Sequence, residues 1–439
     1  MRLPCTVALL FAFGCANSAP PPVSPAEATV RVHKNVAHNI AGQWQGIAKF
    51  GPFYRFRMIL HITGGGPNDW TGTLHSLQAF LDKHDTVEHS SDARYDAMIH
   101  LDGSKIRMTI PQLKLIYEGE VSEDGIQVRG FFSKEGGGYV LPSPIPEDFG
   151  SKKAQFDLER PSPANTWPID VAEPKASLVC VEHCASADEV KLELLDWGGH
   201  GRPLILLSGG GDTAHSFYRF GPNLVALGYH VYGITRRGYG KSSAPEPDGY
   251  GPNNNHSDNR RGDDIIAVVN HLHLTEPPVL VGHSRAGGEL SNVGSRYPHA
   301  VAGLIYLDAG FYFAFDDGMP TPPLPVPTGN EELATKESRI LKAEHLGEQK
   351  YRVIPPPILN IYAFINPDDP IFAHNGADEL RLARGWDADT RERADRFERA
   401  FPRADVVRLA NSTHYLCHSN EAEVLRLVDE FIKQLPLAK

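Results

Sequence analysis

The segment at residues 277–298 constrains the fold of this chain most, because an apolar run leads straight into a serine and then into a predicted helix. Residues 279–281 are apolar and partly β-branched without polar alternation, which predicts a strand buried on both faces of a parallel sheet. Leu290 and Val293 have the spacing of one helical face, so a helix should follow at once. Ser284 is therefore predicted to lie in a tight turn between strand and helix.

Small residues surround this serine. The pattern Gly-x-Ser-x-Ala differs from Gly-x-Ser-x-Gly only at Ala286, and two glycines follow it. A serine in such a turn, beside the N–H groups of a new helix, is typical of a nucleophile elbow. We interpret Ser284 as the candidate nucleophile, with a chance strand-to-helix turn as the alternative that the rest of the chain has to exclude.

Length and charge limit the class of protein. A chain of 439 residues with 41% hydrophobic and 22% charged residues predicts two folded domains. The net charge of −11 without a basic patch argues against a nucleic-acid partner. The apolar run at residues 6–14 is far shorter than the roughly 20 residues of a membrane-spanning helix. At the N-terminus, before small residues, it predicts a secretory signal over residues 1–19, and hence export.

The five cysteines leave two questions open. Cys15 follows a segment that resembles a degenerate bacterial lipobox, so either Cys15 is lipidated and tethers the protein to a membrane or the whole signal is removed. Residues 20–37 are proline-rich and predict an extended tether. Cys180 and Cys184 are close enough in sequence for a bridge, but their spacing alone is a weak signal and favours unpaired thiols. No spacing predicts a metal site.

Residues 38–160 form short alternating runs separated by glycine turns, as in Met58, Leu60 and Ile62. Such runs predict antiparallel strands with one buried face, arranged as a meander or a small barrel. The large aromatic residues of this region are interpreted as packing residues rather than as a ligand platform; they are Trp44, Trp70 and Tyr117.

A linker is predicted at residues 161–175, where prolines cluster, and a second domain at residues 176–439. After a leading hairpin, apolar runs alternate with helical patterns, which predicts a doubly wound, mostly parallel sheet. Four segments of this region resemble the α/β-hydrolase family of serine hydrolases, in the order that the family uses; they are LLSGGGDTAHSF, GITRRGYGKSS, VGHSRAGGELS and NSTHYLCHSNEAEVLRLVDEF. The resemblance implies the α/β-hydrolase fold with a lid insertion at about residues 311–355.

The first domain carries a looser resemblance. Four of its segments are similar to the β-rich domain that precedes the hydrolase domain in some exported bacterial hydrolases; they are GQWQG, DWTGTLHSLQ, YEGEVSEDG and FDLER. At the entrance to the lid, Phe311, Tyr312 and Phe313 are interpreted either as an acyl pocket or as plain packing.

His414 lies between the last apolar run and the last helix, where a loop can bring its imidazole over Ser284. A serine hydroxyl is a weak nucleophile and needs such a base to accept its proton. His414 is therefore the candidate base. The neighbouring Cys417 and His418 are interpreted as surface or helix-start residues.

The loop at residues 209–211 is a run of three glycines after a predicted strand. The resemblance implies an oxyanion hole formed by the backbone N–H of Gly210 and that of Arg285. A phosphate-binding loop is disfavoured because no Gly-Lys-Ser/Thr follows the glycines. We interpret the side chain of Arg285 as one half of an i, i+4 ion pair with Glu289 rather than as a substrate contact.

The acid that orients the histidine has two candidates. Asp308 follows the sixth strand, keeps the chain order Ser, Asp, His, and matches a position that some family members use. Asp368 follows the seventh strand, where the family more commonly has its acid, but slightly too far along. We favour Asp308 and keep Asp368 as the alternative.

These patterns predict an exported serine hydrolase that cleaves small carboxylic esters through an acyl-serine intermediate, without a cofactor. A dehalogenase or an epoxide hydrolase would need an aspartate at position 284. Thioester hydrolysis and acyl transfer use the same triad, and a binding or scaffold protein on an inactive hydrolase fold is the alternative of a different class.

Overall fold

The computed structural model describes residues 39–50, 54–76, 93–137, 153–162, 173–318, 335–367 and 377–436. The predicted signal segment, the tether with Cys15, most of the linker, the middle of the lid and Asp368 lie outside the described residues. Within the described part, no helix is both long and apolar enough to cross a membrane.

The first part of the chain is a closed barrel of eight antiparallel strands. The strands are β1 (Gly42–Phe50), β2 (Tyr54–Gly65), β3 (Asp69–Ser76), β4 (Ala93–Asp102), β5 (Lys105–Ile110), β6 (Leu115–Val121), β7 (Gln127–Lys134) and β8 (Lys153–Glu159). Each strand pairs with the next, and β1 pairs with both β2 and β8. The barrel therefore has no open sheet edge, and the predicted all-β region is confirmed.

The inside of the barrel is packed with apolar side chains. In β2, Met58, Leu60 and Ile62 belong to the barrel core, as the alternation predicted. The expectation of a single buried face was wrong for this strand, because Ile59 on the opposite face is buried as well. Trp44 is 1% exposed, and its indole Nε1 donates to the carbonyl of Ile40 at 2.9 Å. A filled interior favours a structural role for these aromatics over ligand binding inside the barrel.

The second part of the chain is built around an eight-stranded sheet. Its strands are β9 (Lys175–Glu182), β10 (Val190–Gly198), β11 (Pro203–Leu207), β12 (His230–Ile234), β13 (Val279–His283), β14 (Gly303–Leu307), β15 (Ile358–Phe364) and β16 (Asp405–Ala410). The order across the sheet is β16-β15-β14-β13-β11-β12-β10-β9. The first two strands pair antiparallel, as the leading hairpin predicted, and β11 to β16 are parallel to one another.

Helices cover both faces of this sheet. They are α1 (Phe220–Ala226), α2 (Asp258–His271), α3 (Ala286–Arg296), α4 (Lys336–Leu346), α5 (Ala377–Ala400), α6 (Leu416–Ser419) and α7 (Glu421–Gln434). Successive residues of one strand serve opposite faces: Ile205 packs in the core under α2, α3 and α5, whereas Leu206 packs in the core under α1 and α7. This explains why the strands are apolar throughout rather than alternating.

One covalent link differs from the sequence-based expectation. Cys180 and Cys184 form a disulfide across the turn after β9, with their Cα atoms 5.8 Å apart, so the preference for unpaired thiols was wrong. The strand end and turn bring the two Cβ atoms within reach, which residue spacing alone does not reveal. Cys417 is buried and unbridged at the start of α6, so of the two predicted roles, surface or helix start, the structure shows the second.

The barrel core yields a stability prediction. Trp44→Ala should destabilise the protein by about 3–5 kcal/mol, because it removes a fully buried indole together with its hydrogen bond. Urea unfolding followed by circular dichroism measures the change. Met98→Ala is the control, since Met98 is 53% exposed on the same barrel and its loss should cost less than about 0.5 kcal/mol. A loss below about 1 kcal/mol for Trp44→Ala would contradict the packed interior.

Candidate active site

Ser284 lies at the junction that the sequence predicted, between the end of β13 and the start of α3. Its φ of +52° is in the left-handed region, which a serine rarely adopts. Close packing maintains this turn: a Cβ on Gly287 would lie 1.9 Å from the carbonyl oxygen of Ala309. Glycine is therefore required there, because α3 begins directly against the chain that follows β14.

Three residues that are distant in sequence meet at this turn. The Nε2 atom of His414 lies 2.8 Å from the Oγ of Ser284, and its Nδ1 atom lies 2.7 Å from the Oδ2 of Asp308. The imidazole therefore connects the serine hydroxyl to a carboxylate, and it can accept a proton from Ser284 while Asp308 holds the opposite ring nitrogen.

Asp308 is the carboxylate that contacts His414, and its side chain is fully buried. Its Oδ1 atom accepts a hydrogen bond from the backbone N–H of Ala363 at 3.2 Å, and its own N–H donates to Ile361 at 2.7 Å. Both partners belong to β15, so the neighbouring strand fixes the carboxylate.

The glycine loop lies directly against the serine. A Cβ on Gly209 would be 3.2 Å from the Cβ of Ser284, and one on Gly210 would be 3.3 Å from the Cδ of Arg285. Arg236 donates to the carbonyl oxygens of Ser208 at 2.9 Å and of Gly209 at 3.1 Å. This guanidinium fixes the peptide groups that precede Gly210, whose N–H remains a predicted oxyanion donor.

The side chain of Arg285 does not pair with Glu289, so that prediction was wrong. Its Nη2 atom lies 2.9 Å from Glu348 and its Nε atom 3.5 Å from Glu344, both in or just after α4. Glu289 instead forms an ion pair with Arg236, whose Nε atom lies 2.5 Å from the Oε1 of Glu289. The reason is tertiary: Arg285 precedes the first residue of α3 and lies beneath α4, while Arg236 reaches Glu289 from the loop after β12.

Burial and the neighbouring arginines have opposite effects on the pKa values of Glu344 and Glu348. Burial alone would raise the pKa of Glu344, but Arg261, Arg285 and Arg236 together lower it. Burial raises the pKa of Glu348 to about 7, against the opposing charge of Arg285. A buried cluster of alternating charges therefore joins Arg285, the residue after Ser284, to α4 and the residues that follow it.

Two further ionisable groups border His414. Burial lowers the pKa of His283 well below its usual value, and its Nε2 donates to the carbonyl of His414 at 2.9 Å. Burial also raises the pKa of Asp212 to about 6, although the hydroxyl of Tyr415 donates to it at 3.2 Å. His283 thus supports the backbone of the His414 loop, and the Tyr415–Asp212 bond ties that loop to the glycine loop.

Aromatic rings surround the imidazole of His414. The ring centroid of Phe311 lies 6.0 Å from it and that of Trp386 lies 6.3 Å from it. Phe313 stacks on Phe311 at 5.4 Å, and the guanidinium of Arg393 lies 4.4 Å above Phe311. Sequence analysis had considered the two phenylalanines but missed Trp386 and Arg393, because both lie on α5 and only the fold brings that helix to the site.

His418 and Cys417, which are close to His414 in sequence, pack within the protein. His418 donates from Nε2 to the carbonyl of Ser216 at 3.0 Å, and burial lowers its pKa to about 4. Burial raises the pKa of the Cys417 thiol. Among the described residues, no group of three or more His, Cys, Asp or Glu side chains is placed to hold a metal ion.

Several solved structures are similar to part of this chain. A probable hydrolytic enzyme from Pseudomonas aeruginosa PAO1 is 17% identical, with a TM-score of 0.44, over 60% of this chain and 95% of that one. A bromoperoxidase from Bacillus anthracis is 16% identical, with a TM-score of 0.40, over 59% of this chain and 100% of that one. A thermophilic esterase from Thermogutta terrifontis is 16% identical, with a TM-score of 0.39, over 59% of this chain and 98% of that one. Similarity this low says nothing about activity.

The sequence profile of the alpha/beta hydrolase family matches residues 204–427. This range contains the glycine loop, the elbow serine, Asp308 and His414. Because the match covers half of the chain, this protein belongs to the alpha/beta hydrolase family.

Proposed function

We propose that this protein is a serine hydrolase that cleaves small carboxylic esters through an acyl-serine intermediate. The observation that carries the proposal is the continuous hydrogen-bonded connection from Asp308 through His414 to Ser284, with distances of 2.7 and 2.8 Å. Nucleophile and base lie within the reach that proton transfer requires, and a third group orients the base.

In the proposed reaction, the Oγ of Ser284 attacks the ester carbonyl carbon while the Nε2 of His414 accepts the hydroxyl proton. The carbonyl electron pair moves to oxygen and returns as the alcohol leaves with that proton, which yields the acyl-serine. Water then attacks the acyl group with His414 again as base, and the acid leaves as the proton returns to Ser284. No cofactor takes part.

The oxyanion of each tetrahedral intermediate is assigned to the N–H groups of Gly210 and Arg285. The contact between the glycine loop and the Ser284–Arg285 turn supports this assignment, and Arg236 holds the loop from behind. Each donor aimed at the developing charge is worth about 3 kcal/mol of transition-state stabilisation.

The acyl group is assigned to the aromatic surface next to His414, formed by Phe311, Phe313 and Trp386. Apolar rings with a few polar groups are typical of small-ligand sites. Thioester hydrolysis and acyl transfer would use the same residues. Rates measured with esters, with thioesters, and with esters in the presence of an alcohol acceptor distinguish the three reactions.

We further propose that the protein acts after export. The Cys180–Cys184 disulfide supports this location, since disulfides persist in oxidising compartments. Lipidation of Cys15 remains the proposed route of membrane tethering, and mass spectrometry of the purified mature protein decides between a lipidated and a cleaved N-terminus.

Covalent labelling tests the nucleophile. A fluorophosphonate probe should modify the wild-type protein stoichiometrically, and Ser284→Ala should abolish both labelling and ester hydrolysis, because only a base-activated serine reacts quickly. Intact mass spectrometry and a panel of esters graded by acyl length provide the measurements.

Ser291→Ala is the matched control, since Ser291 lies on α3 and its Oγ pairs with Tyr306 at 3.0 Å, away from His414. That variant should label as the wild type does. Absence of labelling in the folded wild-type protein would favour the alternative of a binding or scaffold protein on an inactive fold.

Replacement of the buried carboxylate tests the orienting acid. Asp308→Asn should lower kcat by about 10⁴-fold, the loss seen when a triad aspartate becomes an amide, with little change in melting temperature. Steady-state kinetics and a thermal melt measure the two effects. Asp316→Asn is the control, because Asp316 pairs with Arg352 at 2.7 Å and not with His414. If Asp308→Asn keeps wild-type kcat, the acid lies elsewhere, and Asp368→Asn is the next variant to measure.

A further inference from the structure

The barrel contacts the second part of the chain next to the loop that carries His414. Strand β2 packs against the short helix α6, which begins two residues after His414. From the same strand, the Nη1 of Arg57 donates to the Oε2 of Glu421 at 2.5 Å. This ion pair joins the barrel to the first residue of α7.

Glu421 is held from two sides. Its other oxygen, Oε1, accepts a hydrogen bond from the side-chain amide of Asn223 on α1 at 3.0 Å. The side chains of Arg57 and Glu421 are only 17% and 11% exposed. An ion pair so shielded from solvent is more sensitive to loss of one partner than a surface pair, because the remaining charge stays partly buried.

Hydrogen bonds within the segment between His414 and Glu421, and from it to its neighbours, hold its conformation. The N–H of Thr413 donates to the Oγ of Ser419 at 3.1 Å, and His418 donates to Ser216 at 3.0 Å. The N–H groups of Ser419 and Asn420 donate to the carbonyls of Tyr415 and Leu416. A short, hydrogen-bonded segment therefore links Glu421 to the backbone at His414.

We propose that Arg57 is a positioning residue for the reaction: by holding Glu421, the barrel keeps the His414 loop at hydrogen-bonding distance from Ser284 and Asp308. The inference depends on the proposed serine hydrolase function. It assigns the barrel a part in activity although every reacting group belongs to the second part of the chain.

The test compares Arg57→Ala with the wild type in the full-length protein. Since a misplacement of about 1 Å in a reacting group can cost on the order of a hundredfold in rate, we expect kcat and the fluorophosphonate labelling rate to fall about tenfold. KM should stay within about twofold, because no residue at the acyl surface changes. All rates are measured at a temperature where circular dichroism shows each variant fully folded.

Arg107→Ala is the matched control. Arg107 is a barrel arginine that pairs with Glu118 at 2.6 Å, on a solvent-exposed surface of the same barrel. Its replacement should leave kcat, KM and labelling unchanged. The charge-exchanged double variant, Arg57→Glu with Glu421→Arg, should recover most of the lost labelling rate, which a merely destabilising substitution would not do.

If Arg57→Ala does not fold, Arg57→Lys, which keeps the positive charge beside Glu421, is measured instead, with a severalfold loss of kcat expected. Wild-type labelling rates in a folded Arg57 variant would overturn the inference while leaving the proposed function intact. A wild-type protein that fails to react with the probe would instead overturn the proposed function.

Discussion

The two hydrogen bonds of His414 are the interaction on which the rest of the site depends. Ser284, Asp308 and His414 follow the carboxyl ends of β13, β14 and β16, and parallel strands place those ends at one edge of the sheet. Strand β15 lies between the acid's strand and the histidine's strand, and it supports Asp308 through the N–H of Ala363. Because β15 lies between β14 and β16, the loop after β16 has to span one strand to bring His414 to Asp308. The backbone of β15 also holds the Asp308 carboxylate in place.

A buried cluster of charges fixes the other side of the serine. Arg236 joins Glu289 on α3 to the carbonyls of the glycine loop, and Arg285 joins the elbow to the carboxylates at the end of α4. Removing such charges from water is costly, and the contacts recover that cost only when donors and acceptors match closely. The cluster therefore links the glycine loop, the turn at Ser284 and α4 through buried ion pairs.

The barrel has a filled interior, and a partly buried ion pair, Arg57–Glu421, connects it to the second part of the chain. Its strands close through the pairing of β1 with β8, so it needs no partner to cover a sheet edge. Arg57 extends from this stable body to Glu421. The proposed role of Arg57 gives the barrel an influence on the reaction without a reacting atom, because catalytic distances depend on the backbone that carries each side chain.

The sequence by itself determined the elements whose signal is local. The apolar run before Ser284 predicts a buried strand, and the glycines after it predict a tight turn. The alternation in the first region predicts barrel strands with one buried face. Neighbouring residues alone decide these features. It also proposed Ser284 and His414 and left two aspartates open. Only the tertiary structure decided that Asp308 lies against His414, that Arg285 meets Glu348 rather than Glu289, and that Cys180 meets Cys184. Helical spacing allowed the rejected ion pair, but side-chain partners are set by which elements pack together in space, and periodicity along one element carries no information about that.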